Sequence, residues 1–219
     1  MEIENKVEDF TFLSINSKKV KVLVIGGGKA ALIKAKSFLR KGFVVHCIAP
    51  NFNEEFLQLN CETLKLIVEE FKDEIVRNYH IVVICTNKEE LNRRIRVLCD
   101  KECKVYIDAT MPEESMATLC AMTSTKEVSV GVRIKGKNPK TSQFLANKVK
   151  QYLTQYDDYV FFATHVRNNI GDFHKKSEVL EFISSEDFLF FFEKHYGEEI
   201  LNLFYGGFDF ELKISYEKK

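Results

Sequence analysis

The sequence of 219 residues lacks several features that mark specialised classes of protein. It contains no tryptophan and only three prolines, and its apolar runs are too short to span a membrane. The N-terminus, MEIENKVEDF, is acidic and has no apolar core like that of a signal peptide. We therefore expect a cytoplasmic chain without a membrane segment.

Metal-binding and disulfide patterns are also missing from the sequence. The six cysteines are scattered, and none of them forms a C-x-x-C pair. The five histidines show no metal-ligand spacing. We predict reduced thiols that pack in or near a core, and no metal site.

The chain has no net charge, but its charges are unevenly placed. Residues 151–219 hold 13 acidic and 7 basic residues, so this tail carries −6 and residues 1–150 carry +6. This balance argues against nucleic acid as a partner of the whole chain. It is compatible with a local anion site in the front part.

The segment from Val20 to Pro50 has the pattern of a βαβ unit that binds a dinucleotide. An apolar run is followed by Gly26-Gly27-Gly28, by a helical pattern and by a second apolar run. Gly26, Gly28 and Ala31 fit the motif G-x-G-x-x-A, in which a tight turn brings the helix N-terminus to a pyrophosphate. The alternative is a related domain whose glycine turn binds nothing.

Further strand and helix patterns alternate up to Asp108, which predicts an α/β fold with a Rossmann-type doubly wound parallel sheet. Ligands of such sheets lie beyond the carboxyl ends of the strands. The residues predicted at these ends are Gly26, Pro50, Thr86 and Asp108. The second strand lacks the usual terminal acid and is followed by Asn51, so this position does not decide between NAD and NADP.

The chain changes character after Asp108. Residues 126–134 alternate like an antiparallel strand, and a helix is predicted from about residue 140 to 156, with Asn138 as its N-cap. The tail from residue 151 holds 11 of the 19 phenylalanines and has the pattern of a small helical module. At the other end of the chain, residues 10–16, FTFLSIN, have the pattern of a short strand.

Two groups of residues are candidates for chemistry. Asp108 stands at a strand end, where a carboxylate can act as a general base, or it is an ordinary turn aspartate. Four cations lie within eight residues beside a helix N-terminus, where they would hold carboxylates or phosphates, or would form a solvated loop. These cations are Arg133, Lys135, Lys137 and Lys140.

Five segments in this order resemble the precorrin-2 dehydrogenase family, which includes the dehydrogenase domain of siroheme synthase and stand-alone enzymes. The segments are a short strand, VLVIGGGKAALIKAKSFLRKGFVVHCIAP, a strand ending in CTNKEELN, VYIDATMP and VGVRIKGKNPKTSQFLANKVKQYL. The resemblance covers roughly residues 10–155. One departure is the loop Arg133-Ile134-Lys135-Gly136, where the family usually has Ser-Thr-Gly-Gly.

The resemblance implies NAD-dependent oxidation of precorrin-2, a tetrapyrrole polycarboxylate, to sirohydrochlorin, with Asp108 required for activity. In some members Fe²⁺ insertion follows. It also implies a homodimer built largely from the segment after Asp108. Together with the patterns above, this predicts three parts: a Rossmann domain at 1–112, a small α+β dimerisation segment at 113–150 and the helical C-terminal module at 151–219. The cofactor site would comprise Gly26, Gly28, Lys29, Ala30, Pro50, Asn51, Thr86 and Asn87.

Two rival hypotheses remain open at this point. The altered loop at 133–136 leaves room for a non-catalytic module that binds NAD or a tetrapyrrole. A chelatase that inserts Fe²⁺ or Co²⁺ into sirohydrochlorin without dehydrogenase activity is the other alternative.

Overall fold

The computed structural model of the chain describes residues 10–135, 138–170 and 175–206. Within it the chain divides after Leu119 into two compact units. This division falls inside the predicted dimerisation segment, and the predicted boundaries of the three parts remain a prediction.

The first unit is built on a five-stranded parallel sheet with the strand order β3-β2-β1-β4-β5. The order reverses direction next to β1, as in doubly wound folds, and this confirms the predicted fold class. The strands are β1 (Lys21–Ile25), β2 (Val44–Ala49), β3 (Leu64–Val68), β4 (Ile81–Ile84) and β5 (Val105–Asp108).

Helices flank this sheet, which has an apolar layer on each face. They are α1 (Lys29–Leu39), α2 (Glu54–Leu57) and α3 (Glu89–Lys101). Side chains of β1 alternate between the layers: Val22 and Val24 pack with α1, whereas Leu23 and Ile25 pack with α3. Because both faces are covered, β4 is apolar over its whole length and β1 is apolar from Val22 to Ile25, as buried parallel strands are.

The turn from β1 to α1 requires glycine at two of its three positions. Gly26 has φ of +131°, and a Cβ there would lie 2.5 Å from the carbonyl oxygen of Cys85. A Cβ on Gly27 would lie 1.9 Å from the carbonyl oxygen of Asn51. Gly28 has ordinary extended backbone, and a Cβ there would enter open space. The steric demand therefore lies on Gly26 and Gly27.

The second unit begins with an antiparallel hairpin covered by a helix. Strands β6 (Ala121–Ser124) and β7 (Ser129–Val132) pair with each other, and α4 (Pro139–Leu153) contacts both. The Asn138 side chain accepts a hydrogen bond from the Thr141 N–H, which confirms the predicted N-cap.

A buried aspartate joins this hairpin to the helices that follow. Asp157 accepts hydrogen bonds from the Thr125 hydroxyl and from the Lys126 and Glu127 N–H groups. The Thr125 hydrogen bond contributes most to lowering the pKa of Asp157 below its ordinary value. The turn between β6 and β7 is thereby fixed to the first residue of a helix.

The remaining helices pack around an aromatic core, as expected for the Phe-rich tail. They are α5 (Asp157–Asn169), α6 (Lys176–Ile183), α7 (Glu186–Glu193) and α8 (Gly197–Tyr205). Phe162 and Phe188 are stacked at the centre of this core. Ser185 caps α7, because its hydroxyl oxygen accepts a hydrogen bond from the Phe188 N–H.

Two sequence predictions need correction. Residues 10–16 are not a strand but irregular backbone, and Phe12, Leu13 and Ile15 are exposed, so no layer buries an alternating pattern there. The sequence FNEEFLQL at residues 52–59 suggests a helix, but the helix there is limited to the single turn of α2.

Replacing Gly27 by alanine is predicted to lower the free energy of unfolding by about 1–3 kcal/mol, because the new Cβ must displace the Asn51 carbonyl. Urea titration measures this loss.

The matched control is Gly28→Ala, next to it in the same turn. Its Cβ meets open space, so its unfolding free energy is expected to stay within about 0.5 kcal/mol of wild type. Equal stability of the two variants would contradict the steric account of the turn.

Candidate functional site

A cavity of about 650 Å³ lies at the carboxyl ends of β1, β2 and β4. Its volume is within the range of about 300–1,000 Å³ that is common for small-molecule sites. The residues that line it come from the ends of these strands, the segment after β3 and the start of α3: Ile25, Gly26, Gly27, Gly28, Ile48, Ala49, Pro50, Asn51, Glu70, Phe71, Cys85, Thr86, Asn87, Lys88, Leu91 and Arg94.

The structure brings six of the eight predicted cofactor residues to this cavity. They are Gly26, Gly28, Pro50, Asn51, Thr86 and Asn87. The other two, Lys29 and Ala30, are the exposed first residues of α1 and do not line the cavity. Their part in cofactor binding remains a prediction.

The N-terminus of α1 suits a phosphate group. Gly28 is the N-cap residue, and no side chain caps the first turn of the helix. The backbone N–H groups at such a terminus have no partner within the helix and carry the positive end of the helix dipole. The open space above Gly28 leaves room for a pyrophosphate next to them.

Sequence reasoning missed Glu70, Phe71 and Arg94 in the cavity wall. Ala49 pairs with Val68, so in this register the chain beyond β3 continues beside Pro50 and Asn51. Glu70 therefore supplies a carboxylate to the cavity that the end of β2 does not. The only signal for it in the sequence was the pairing register of two strands, which a single chain does not reveal.

Arg94 lies on α3 and forms an ion pair with Asp73, with 2.6 Å between its guanidinium nitrogen and the carboxylate. In the sequence, Arg94 is one of three arginines, with Arg93 and Arg96, in the later part of this helical segment, where positive charge suits the helix dipole. Its position in the cavity wall depends on which face α3 turns to the sheet.

Asp108 is fully buried and does not line the cavity. Its Oδ1 accepts hydrogen bonds from the Thr110 N–H at 2.8 Å, the Thr110 hydroxyl at 2.6 Å and the Met111 N–H at 3.1 Å. Its Oδ2 accepts one from Arg96 at 2.5 Å. Both oxygens of this carboxylate are thus engaged.

The surroundings of Asp108 favour its ionised form. Burial raises the pKa of Asp108, but the hydrogen bonds from Thr110, Met111 and Arg96 outweigh burial and lower the pKa below its ordinary value. These contacts fit the reading as a turn aspartate, and its role as a base remains a prediction.

The cysteines are free thiols, and those near the cavity are poor nucleophiles. Burial raises the pKa of Cys85, which lines the cavity, and of the buried Cys47 to about 12. A thiol with such a pKa stays protonated near neutral pH.

The predicted basic cluster belongs to the second unit. Arg133 is half-buried, whereas Lys135 and Lys140 are exposed, and Lys140 lies in the first turn of α4. Lys137, like Gly136, lies outside the described residues. The role of these cations in substrate binding remains a prediction.

The described part of the chain lacks two kinds of feature, a membrane-spanning helix and a cluster of metal ligands. No helix in residues 10–135, 138–170 and 175–206 is long and apolar enough to cross a membrane. The same residues contain no group of three or more His, Cys, Asp or Glu side chains that could hold a metal ion.

Residues 13–121 match the family described as "Putative NAD(P)-binding". The chain is 29% identical over 154 residues to the "Putative precorrin-2 dehydrogenase" of Methanocaldococcus jannaschii. The aligned segment covers 66% of this chain and 73% of that protein. It is 31% identical over 99 residues to the "Probable multifunctional siroheme biosynthesis protein HemA" of Ruminiclostridium josui, which covers 45% of this chain and 17% of that protein.

A siroheme synthase of Psychrobacter arcticus is 27% identical over 146 residues, which is 62% of this chain and 25% of that protein. The chain thus spans a quarter or less of the HemA protein and of this synthase.

The solved structure of SirC, a precorrin-2 dehydrogenase, superposes with a TM-score of 0.64 at 18% identity and covers 89% of this chain and 100% of that one. This likeness confirms the fold. Residues 13–121 thus resemble the putative NAD(P)-binding family, and the chain is a homologue of precorrin-2 dehydrogenases and siroheme synthases.

Proposed function

We propose that this protein is an NAD-dependent precorrin-2 dehydrogenase, which oxidises precorrin-2 to sirohydrochlorin in siroheme biosynthesis. The observation that carries the proposal is the cavity at the strand ends, where the glycine turn presents an uncapped helix N-terminus. The likeness to the Methanocaldococcus jannaschii protein, 73% of which is matched, supports the substrate.

Different residues of the cavity would bind different groups of NAD. The N-terminus of α1 above Gly28 would receive the pyrophosphate. Asn51 and Glu70, at the ends of neighbouring strands, would accept hydrogen bonds from ribose hydroxyls, and the carboxylate of Glu70 would repel the additional phosphate of NADP. When bound, NAD supplies a hydride acceptor.

The reaction removes one hydride and one proton from precorrin-2 and yields sirohydrochlorin, NADH and a proton. The proton needs an acceptor, and Asp108 is our candidate, as predicted from the sequence. Protonation of Asp108 would weaken the hydrogen bonds that its carboxylate accepts from Thr110 and Arg96. A role in positioning needs no such change.

The substrate side would depend on positive charge. Precorrin-2 is rich in carboxylates, and the side chains that are candidates to bind them are Arg133, Lys135, Lys137 and Lys140.

Replacing one of the exposed lysines by a neutral residue is expected to raise the KM for precorrin-2 and to leave kcat nearly unchanged. The reason is that the substitution removes a binding interaction that the ground state and the transition state share.

A specific observation also favours a second candidate, the non-catalytic module that binds NAD or a tetrapyrrole. Both carboxylate oxygens of Asp108 are hydrogen-bonded and its pKa is lowered, which disfavours proton acceptance.

Insertion of Fe²⁺ or Co²⁺ into sirohydrochlorin is a further activity that we retain as a proposal, with the metal as a substrate. A cytoplasmic location is likewise proposed.

We further propose a homodimer, as the resemblance implies. On α4, Leu145, Val149 and Tyr152 recur at helical spacing and form an apolar stripe, in which they expose 38%, 36% and 62% of their surface.

Val149→Glu is expected to convert the dimer to a monomer, as measured by light scattering, because it places a charge in this apolar stripe. Gln151→Glu, an exposed position off this stripe, should leave the dimer intact, and a monomeric wild-type protein would refute the proposal.

Replacing Gly28 by alanine is expected to weaken NAD binding at least tenfold, since the added Cβ enters the space proposed for the pyrophosphate. Isothermal titration calorimetry of the folded variant measures this change. An unchanged Kd would place the cofactor elsewhere.

Anaerobic incubation of the wild-type protein with precorrin-2 and NAD is expected to give equal amounts of sirohydrochlorin and NADH, which absorbance follows. Asp108→Ala should abolish turnover and still bind NAD within about tenfold of wild type, because the carboxylate lies outside the cavity wall.

Unchanged turnover of Asp108→Ala would refute a role for this carboxylate. Wild-type protein that binds NAD but forms no NADH would favour the non-catalytic module. Adding Fe²⁺ or Co²⁺ to the sirohydrochlorin formed then tests chelation in the same cuvette.

A further inference from the structure

A buried asparagine connects the cavity to the surroundings of Asp108. Asn92 lies on α3 and is 2% exposed. Its Oδ1 accepts a hydrogen bond from the Thr86 hydroxyl at 2.5 Å, and its Nδ2 donates to the Thr86 carbonyl at 3.0 Å. Because Thr86 lines the cavity and Asn92 does not, Asn92 supports the cavity wall through its hydrogen bonds to Thr86.

The hydroxyl of Thr86 is fixed from two sides. It donates to Asn92 and accepts a hydrogen bond from the Lys88 N–H at 3.2 Å. Thr86, Asn87 and Lys88 are consecutive residues of the cavity wall. The conformation of this loop therefore depends on the side chain of Asn92.

The same asparagine reaches the turn that follows β5. Its Nδ2 also donates to the Thr110 hydroxyl at 3.2 Å, and that hydroxyl donates to Asp108 at 2.6 Å. Arg96, one helical turn after Asn92 on α3, donates to the other carboxylate oxygen. One face of α3 thus organises both strand-end loops.

We propose that Asn92 is a positioning residue that couples the cavity to Asp108. It fixes Thr86 in the cavity wall and Thr110 beside the carboxylate. A change at the cavity or at Asp108 is therefore transmitted through three hydrogen bonds in series: Thr86 to Asn92, Asn92 to Thr110, and Thr110 to Asp108. The inference rests on NAD binding in this cavity, which is part of the proposed function. Because this side chain would couple the two sites, a change beside Asp108 is expected to produce a modest change in the affinity for NAD.

The test uses Thr110, which is exposed and does not line the cavity. Thr110→Val keeps the shape of the side chain but removes the hydroxyl that links Asn92 to Asp108. Loss of this link is expected to raise the Kd for NAD about threefold to tenfold, measured by titration calorimetry. Thr110→Ser retains the hydroxyl and should keep the Kd within about twofold of wild type.

The matched control is Thr125→Val in the second unit. Thr125 also donates its hydroxyl to a buried aspartate, Asp157, but it has no hydrogen-bonded connection to the cavity in the described residues. This variant should lose stability and leave the Kd for NAD unchanged. Equal weakening by both variants would mean a general loss of stability, and the proposal would be wrong.

Two other results would overturn the inference. A wild-type Kd in Thr110→Val would show that the link is only structural. Wild-type protein that fails to bind NAD would remove the proposed function and this inference together. The direct variant, Asn92→Ala, is expected to weaken NAD binding more than Thr110→Val, and where it does not fold, the Thr110 pair decides.

Discussion

The close approach of three strand-end loops is the constraint on which the rest of the first unit depends. The turn after β1 passes so near the carbonyl groups of Asn51 and Cys85 that Gly26 and Gly27 have no room for a side chain. This contact packs the ends of β1, β2 and β4 together on one edge of the sheet. It also directs the N-terminus of α1 towards the cavity, where its N–H groups meet no side-chain cap.

Buried carboxylates stabilise two of the turns, the one that follows β5 and the one that joins β6 to β7. Asp108 accepts four hydrogen bonds at the end of β5, and Asp157 accepts three at the start of α5. A carboxylate accepts several donors at once, so it can organise a turn whose own backbone bonds are incomplete. In each case the hydrogen bonds lower the pKa of the carboxyl group.

Asn92 on α3 connects the packed strand-end loops of the cavity with the turn that Asp108 stabilises. Thr86 belongs to the cavity wall and Thr110 to the turn around Asp108, and Asn92 contacts both. Few polar groups are buried in this unit, and each of them is hydrogen-bonded in the described residues. Such a satisfied network restricts the two loops to one arrangement, because any partner left unpaired would cost its full desolvation energy.

The sequence by itself determined the features that depend on neighbours in the chain. The alternation of strands and helices, the glycine turn and the cap at Asn138 follow from local patterns, and the structure confirms them. The order of segments also predicted the family, which the comparisons bear out.

Tertiary structure alone decided the features that depend on register and on which helix face meets the sheet. Glu70 reaches the cavity because β3 pairs with β2 in one register, and Asn92 and Arg96 reach Thr110 and Asp108 because α3 turns one face inwards. For the same reason the strand predicted at residues 10–16 is absent. Its alternating pattern favours a strand locally, but a strand forms only where another strand accepts its backbone hydrogen bonds.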